Sequence, residues 1–225
     1  MSSDEVNATH RSGRAVDRLI NFSDSVVAVA VTVLVLPLVN IPGPADNESV
    51  WSVISLHANQ INTFIFTFFV VTIMWLAHNR ILNELCAYDV TLFWLNTCWL
   101  ASIVILPWVS SMYGAATNSA DDRLGDQGLL YWGALAGIGI FGTLMGWHIS
   151  RHPELDNGAT QRQFKGRTSF RGPVFVLYFI LLGVVSVYSW STAGYLELGI
   201  IPLTFIFRPT RNADSVRVSR EGENP

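Results

Sequence analysis

Residues 18–39 read RLINFSDSVVAVAVTVLVLPLV, and their opening does not suit the rest. From Val26 onward the stretch is a Val, Ala and Leu span, while Arg18, Asn21, Ser23 and Asp24 occupy its first turns. An ionised side chain inside hydrocarbon costs roughly 2.5 to 3.5 kcal/mol even on lenient insertion scales, so it is placed against protein or water. The stretch is read as a membrane helix with one face that needs partners elsewhere in the chain.

Composition agrees. Half of the 225 residues are apolar and 14% are charged, against about 25% charged in ordinary soluble proteins. Several apolar runs approach the roughly 20 residues that cross a bilayer core of about 30 Å. Six spans are predicted. The first, from about Leu19 to Ile41, is closed by IPGP at 41–44, and the second runs from near Trp51 to AHNR at 77–80. Asp89 to Tyr113, Gly128 to Ile149 and residues 172–190 follow, and a short sixth, Ala193 to Phe207, is interrupted by Glu197 and Pro202. The expected fold class is an all-α polytopic membrane protein, with residues 18–207 as one six-helix domain. Residues 1–17 form a short N-terminal segment, and 208–225 a polar tail expected to be disordered. The apolar run at 26–39 is kept as a mature helix rather than a signal peptide, because Pro37 and Pro42 and the lack of a small-x-small site do not favour cleavage.

Positive charge sets the orientation. With the N-terminus cytoplasmic, the inside segments hold thirteen of the fourteen Lys and Arg residues, leaving Arg123 outside. The positive-inside rule then places both termini in the cytoplasm and the protein in the cell membrane. The outer loops carry Asp46, Glu48, Asp121, Asp122 and Asp126, read as solvated surface. The 150–171 loop is read as interfacial anchoring. A net charge of −3 argues against nucleic acid as a partner. Cys86 and Cys98 have neither disulfide nor metal-ligand spacing and are read as free thiols.

At 100° per residue, Val29, Thr32, Val33 and Leu36 are related as i, i+3, i+4 and i+7 and form one stripe, which Phe22 and Ser25 extend toward the cytoplasm. Asp24 lies about 140° from Val29, off that stripe. Partners at its depth come from the next two spans. Trp75 and His78 are neighbours at the end of the second, and Asp89 and Asn96 at the start of the third. A carboxylate beside Arg18, with indole, imidazole and amide donors around it, is a satisfiable network that fixes three helices in register.

These residues carry a resemblance. Arg18-x-x-x-Phe22-Ser23-Asp24, then Ala28, Thr32 and Leu34-Val35-Leu36, then Trp75-x-x-His78-Asn79-Arg80 and Leu92-x-x-x-x-Asn96, resemble a prokaryotic single-repeat member of the transmembrane protein 175 potassium channel family. The match spans roughly residues 18–113. It implies a homotetramer of six-helix subunits with a central cation pore lined by the first helix of each, and no P-loop filter. Carried over by position, the constriction is Val29, Val33 and Leu36, and the pore threonine is Thr32. The family usually has Ile or Leu at the constriction, so valine makes it less bulky, and Ser25 replaces a frequent glycine. Arg18, Phe22, Ser23, Asp24, Trp75, His78 and Asn96 then form the structural network behind the pore.

The implied activity is potassium-permeable conduction with modest selectivity over sodium. K+ is the permeating ion, no cofactor is needed, and the partners are further copies of the chain and the bilayer. A proton-conducting route or a small secondary transporter using Asp24 and His78 is the alternative. Paired repeats with broken helices, expected of a transporter, are not visible in the sequence. An enzyme is not expected, since the histidines are scattered and neither HExxH nor GxSxG occurs. Gly133-x-x-x-Gly137 and Gly142-x-x-x-Gly146 are read as helix-packing signals.

Overall fold

The computed structural model describes residues 3–115, 123–156 and 171–189, with Leu196 and Gly199 besides, and the side chains of the first helix from Gly13 onward. The expected sixth span at 193–207, with Glu197 and Pro202, falls outside the described residues, as do most of the 150–171 loop and the 208–225 tail. Among the described residues the chain is helical apart from turns and one isolated bridge. Helix α1 spans Ser3–Val33 and is followed by the short α2, Leu36–Val39; α3 covers Val50–Leu56, and α4 Ala58–Asn83. Then come α5 at Val90–Val104, α6 at Leu106–Ala115, α7 at Arg123–Arg151, a 3-10 turn at Pro153–Leu155 and α8 at Arg171–Tyr188.

Two of the breaks have a proline as their cause. Pro37 offers no N–H to the carbonyl of Val33, four residues back, so α1 ends there and restarts as α2. Pro107 does the same to Ile103, and the third span divides at Ile105 into α5 and α6. The second span was expected to start near Trp51. Instead the chain breaks at His57, whose ring Nδ1 lies 3.0 Å from Gln60 Oε1, and the long helix begins at Ala58.

Among the described residues, four segments are long and apolar enough to cross a membrane: Gly13–Val39, Ala58–Asn83, Val90–Ala115 and Gly125–Arg151; the apolar Gly172–Tyr188 is shorter. Helix α7 lies at the centre, packed on α5, α6 and α8. Fully buried Trp99, Tyr131, Trp132, Leu135, Met145 and Phe179 fill that core, with Tyr113 and Tyr131 stacked at 4.4 Å. Gly133 has open space where a Cβ would stand, and Gly137 meets Ser102 Oγ at 3.2 Å. Two other glycines of α7 stand close against α8. A Cβ on Gly125 would meet Val187 Cα at 3.0 Å, and one on Gly139 would meet Val176 Cγ2 at 2.9 Å.

Helix α1 is peripheral, packed on α4, α5 and α6. Only 22% of its apolar window is buried by the chain, against 44% for the fourth span. A hydrophobic helix left uncovered by its own subunit needs lipid or another subunit against it.

Candidate pore helix and its anchor

The two faces of α1 separate cleanly. Val16, Leu19, Ser23, Val27, Ala30 and Leu34, spaced by threes and fours, are all buried. That row is what a helix turned with one face to its own subunit requires. The other face bears the stripe: Val29 is 63% exposed, Leu36 53% and Phe22 62%, with Thr32 exposed and Val33 half-buried. Thr32 Oγ1 donates to the Val29 carbonyl at 2.7 Å. With its hydrogen committed to its own helix, the hydroxyl oxygen keeps lone pairs for a cation.

Behind the stripe two sets of hydrogen bonds tie α1 down. Asp24 Oδ1 accepts from Trp75 Nε1 at 2.7 Å and from Asn79 Nδ2 at 3.2 Å, and Oδ2 lies 3.4 Å from the same amide. Asn83 Nδ2 in turn donates to Asn79 Oδ1, which fixes that amide's orientation. Ser23 Oγ donates to the Leu19 carbonyl at 2.9 Å and accepts from Asn96 Nδ2 at 3.0 Å. Asn96 Oδ1 can only accept, so His78 Nε2, 2.7 Å away, carries the proton. The imidazole also stacks on Trp99, with ring centroids 3.7 Å apart and planes 9° from parallel. Its Nδ1 is buried with no partner among the described residues.

Ser23, Asp24, Trp75, His78 and Asn96 are thus brought together from three helices. Arg18 and Phe22 are not. Arg18 was expected beside Asp24, but six residues leave the two about 120° apart around the helix and about 9 Å apart along it, and the arginine is exposed. Asp89, expected at this depth as a further partner, instead caps α5 and bonds Leu92 N at 2.8 Å. Asn79 and Trp99 were given no role from sequence. Asn79 follows Trp75 by four residues, so the spacing already put both on one face of α4. Asp24 and His78 are not bonded to each other. Their two runs are separate, and the Ser23 run has every hydroxyl and amide hydrogen directed one way. Among the described residues no group of three His, Cys, Asp or Glu side chains could hold a metal ion.

Residues 18–107 match the family model described as endosomal/lysosomal potassium channel TMEM175. The chain is 28% identical over 181 residues to the endosomal/lysosomal proton channel TMEM175 of Danio rerio, covering 77% of this chain and 34% of that one. It is 27% identical to the human protein of the same name, over 86% and 36%. The chain therefore spans about a third of the length of these curated relatives. A potassium channel of Streptomyces collinus is 24% identical over 60% of this chain and 64% of its own. The fold matches the crystal structure of a lysosomal potassium-selective channel TMEM175 homolog from Chamaesiphon minutus, with a TM-score of 0.71, 19% identity, and coverage of 87% of this chain and all of that one. Through its residues 18–107, two fifths of its length, the chain is similar to the TMEM175 family.

Proposed function

We propose that the chain is one subunit of a homotetrameric, potassium-permeable cation channel of the cell membrane, with six transmembrane helices, cytoplasmic termini and α1 lining the axis. The observation that supports this reading is the division of α1. Its apolar stripe is bare while the opposite face is packed and hydrogen-bonded to the same subunit. Four copies of the stripe around an axis would cover one another. The rings of Val29, Val33 and Leu36 then form the constriction, and four Thr32 hydroxyls supply oxygen beside it.

Moving an ion through a dry apolar ring is prohibitive, so conduction requires the rings to wet and closure occurs by dewetting. Potassium gives up its hydration more readily than sodium and would pass with less loss. Selectivity of this origin is modest. The relatives named proton channels support a second reading, conduction of protons. The separation of Asp24 from His78 does not favour it through those residues. Purified protein in vesicles under a potassium gradient decides between them. Expected is potassium flux without any co-substrate, exceeding both sodium flux and the proton current under matched gradients. Proton current alone would favour the second reading.

A further inference from the structure

The end of the bundle where α1 begins carries a second polar cluster, which the pore does not use. His148, in the last turn of α7, has its Nε2 2.8 Å from Asp89 Oδ2. Asp89 is also the N-cap of α5, its Oδ1 accepting from Leu92 N at 2.8 Å. One turn beyond His148, the Nδ1 of His152 lies 2.8 Å from Glu154 Oε1, and the two imidazole centroids are 4.5 Å apart. The backbone closes the assembly. Cys86 N donates to the Leu155 carbonyl at 3.0 Å, and Leu85 bridges Asp156. The start of α5 and the end of α7 therefore meet at one histidine–carboxylate pair, and a second, local pair stands in the 3-10 turn beside it.

Charge counting gives the cluster a direction. Leu92 N–H and the two histidines hold the Asp89 carboxyl below its usual range, even though desolvation, the largest single influence, pushes it up. Glu154 is also held low, first by its own backbone N–H and then by His152, against the repulsion of Asp89. Both carboxylates therefore stay ionised at neutral and mildly acidic pH. Other charged groups on these elements are Arg151, whose guanidinium lies 3.9 Å from the Trp147 ring centroid, and Asp156 at the bridge. With both imidazoles neutral the two pairs carry two negative charges; with both protonated they carry none. Each proton enters beside its own carboxylate.

We propose that Asp89 and His148, with His152 and Glu154 ordering the turn that follows, form a proton-binding clamp that fastens the end of α7 to the start of α5 as that side is acidified. A neutral imidazole donates an ordinary hydrogen bond; an imidazolium donates a charge-assisted one, about twice as strong. Acidification therefore tightens the clamp and alkalinisation loosens it. Asn96 stands two turns along α5 from Asp89 and holds Ser23 of α1. A firmer start to α5 steadies the pore helix. Only this effect on α1 and the assignment of the clamp to the cytoplasmic side rest on the proposed function.

Hydrogen exchange on the full chain in lipid nanodiscs, corrected for the intrinsic pH dependence of exchange, tests the clamp without reference to conduction. Protection of the amides of Cys86, Leu92 and residues 154–156 is expected to rise about threefold or more between about pH 8 and pH 5.5. Asp89→Asn keeps an N-cap and removes the charge. His148→Gln keeps a donor and removes the titration. Each should flatten the profile, while His57→Gln, on the opposite end of α4, should leave it unchanged. A flat profile in the natural sequence overturns the clamp, as does an unaltered pH dependence in both Asp89→Asn and His148→Gln. Retained pH-dependent protection in a protein that passes no potassium would sustain the clamp and overturn the channel reading.

Discussion

Asp24 answers for the polar opening of an otherwise apolar helix. Its two carboxylate oxygens take the indole N–H of Trp75 and the amide of Asn79, so Asp24→Ala removes the acceptor of both. A buried donor left unpaired costs about 1 to 3 kcal/mol, and these half-buried ones less. The expected result is loss of tetramer yield and lowered thermal stability in detergent, with ion preference unchanged in whatever assembles; a well-assembled variant with altered selectivity would count against an anchoring role. On the other face the expectation reverses. Val29→Asn replaces a dry ring by hydrogen-bonding groups, so single-channel conductance should rise several-fold and the potassium-to-sodium permeability ratio should fall toward unity. The same change at Val31, rotated by about 200°, meets subunit packing and should lower stability without opening a path. Thr32→Ala deletes oxygen ligands without widening the ring, so conduction should persist and the shift in reversal potential between potassium and sodium should shrink.

At the scale of elements, what could be read from sequence was whatever repeats at helical spacing. The stripe from Val29 to Leu36 and the polar start of α1 follow from periodicity and hydropathy, and the exposed and buried faces lie as the wheel arranges them. Pairings between distant elements leave no such trace. His148 and Asp89 are 59 residues apart, and nothing periodic connects them, so His148 looked like one of several scattered histidines. Arg18 was placed beside Asp24 by complementary charge alone, and helical phase overrules that. On α7 the glycines that stand against α8 are Gly125 and Gly139, because the contact depends on which face α8 occupies. The break at Pro37 was written in the sequence, and its consequence is testable. Pro37→Ala restores an N–H to the Val33 carbonyl, letting α1 run on into α2 and rotating Leu36 relative to Val33. Conductance should change by about threefold or more, with little loss of stability. Unchanged conductance would mean that the break does not set the constriction.

For the whole molecule the decisive question is what covers the bare stripe of α1. Lipid would satisfy an apolar face as well as protein does, because there is no hydrophobic driving force between helices in a bilayer. Thr32 weighs against lipid only weakly, since its hydrogen is already bonded to Val29 O. Cross-linking separates the two. In a background with Cys86 and Cys98 replaced by serine, Val29→Cys puts four thiols around a narrow axis if the tetramer is right. A short bismaleimide should then give, in bilayers and at low protein-to-lipid ratio, a ladder of bands ending at four times the 25.0 kDa subunit. Leu177, 66% exposed on α8 and far along the chain from the stripe, is the comparison. Leu177→Cys stands on a helix packed against α7 and should remain monomeric under the same conditions. A ladder that stops at two from Val29→Cys would replace the tetramer by a dimer. Equal cross-linking from both positions would reflect random collision and remove the stripe from the axis.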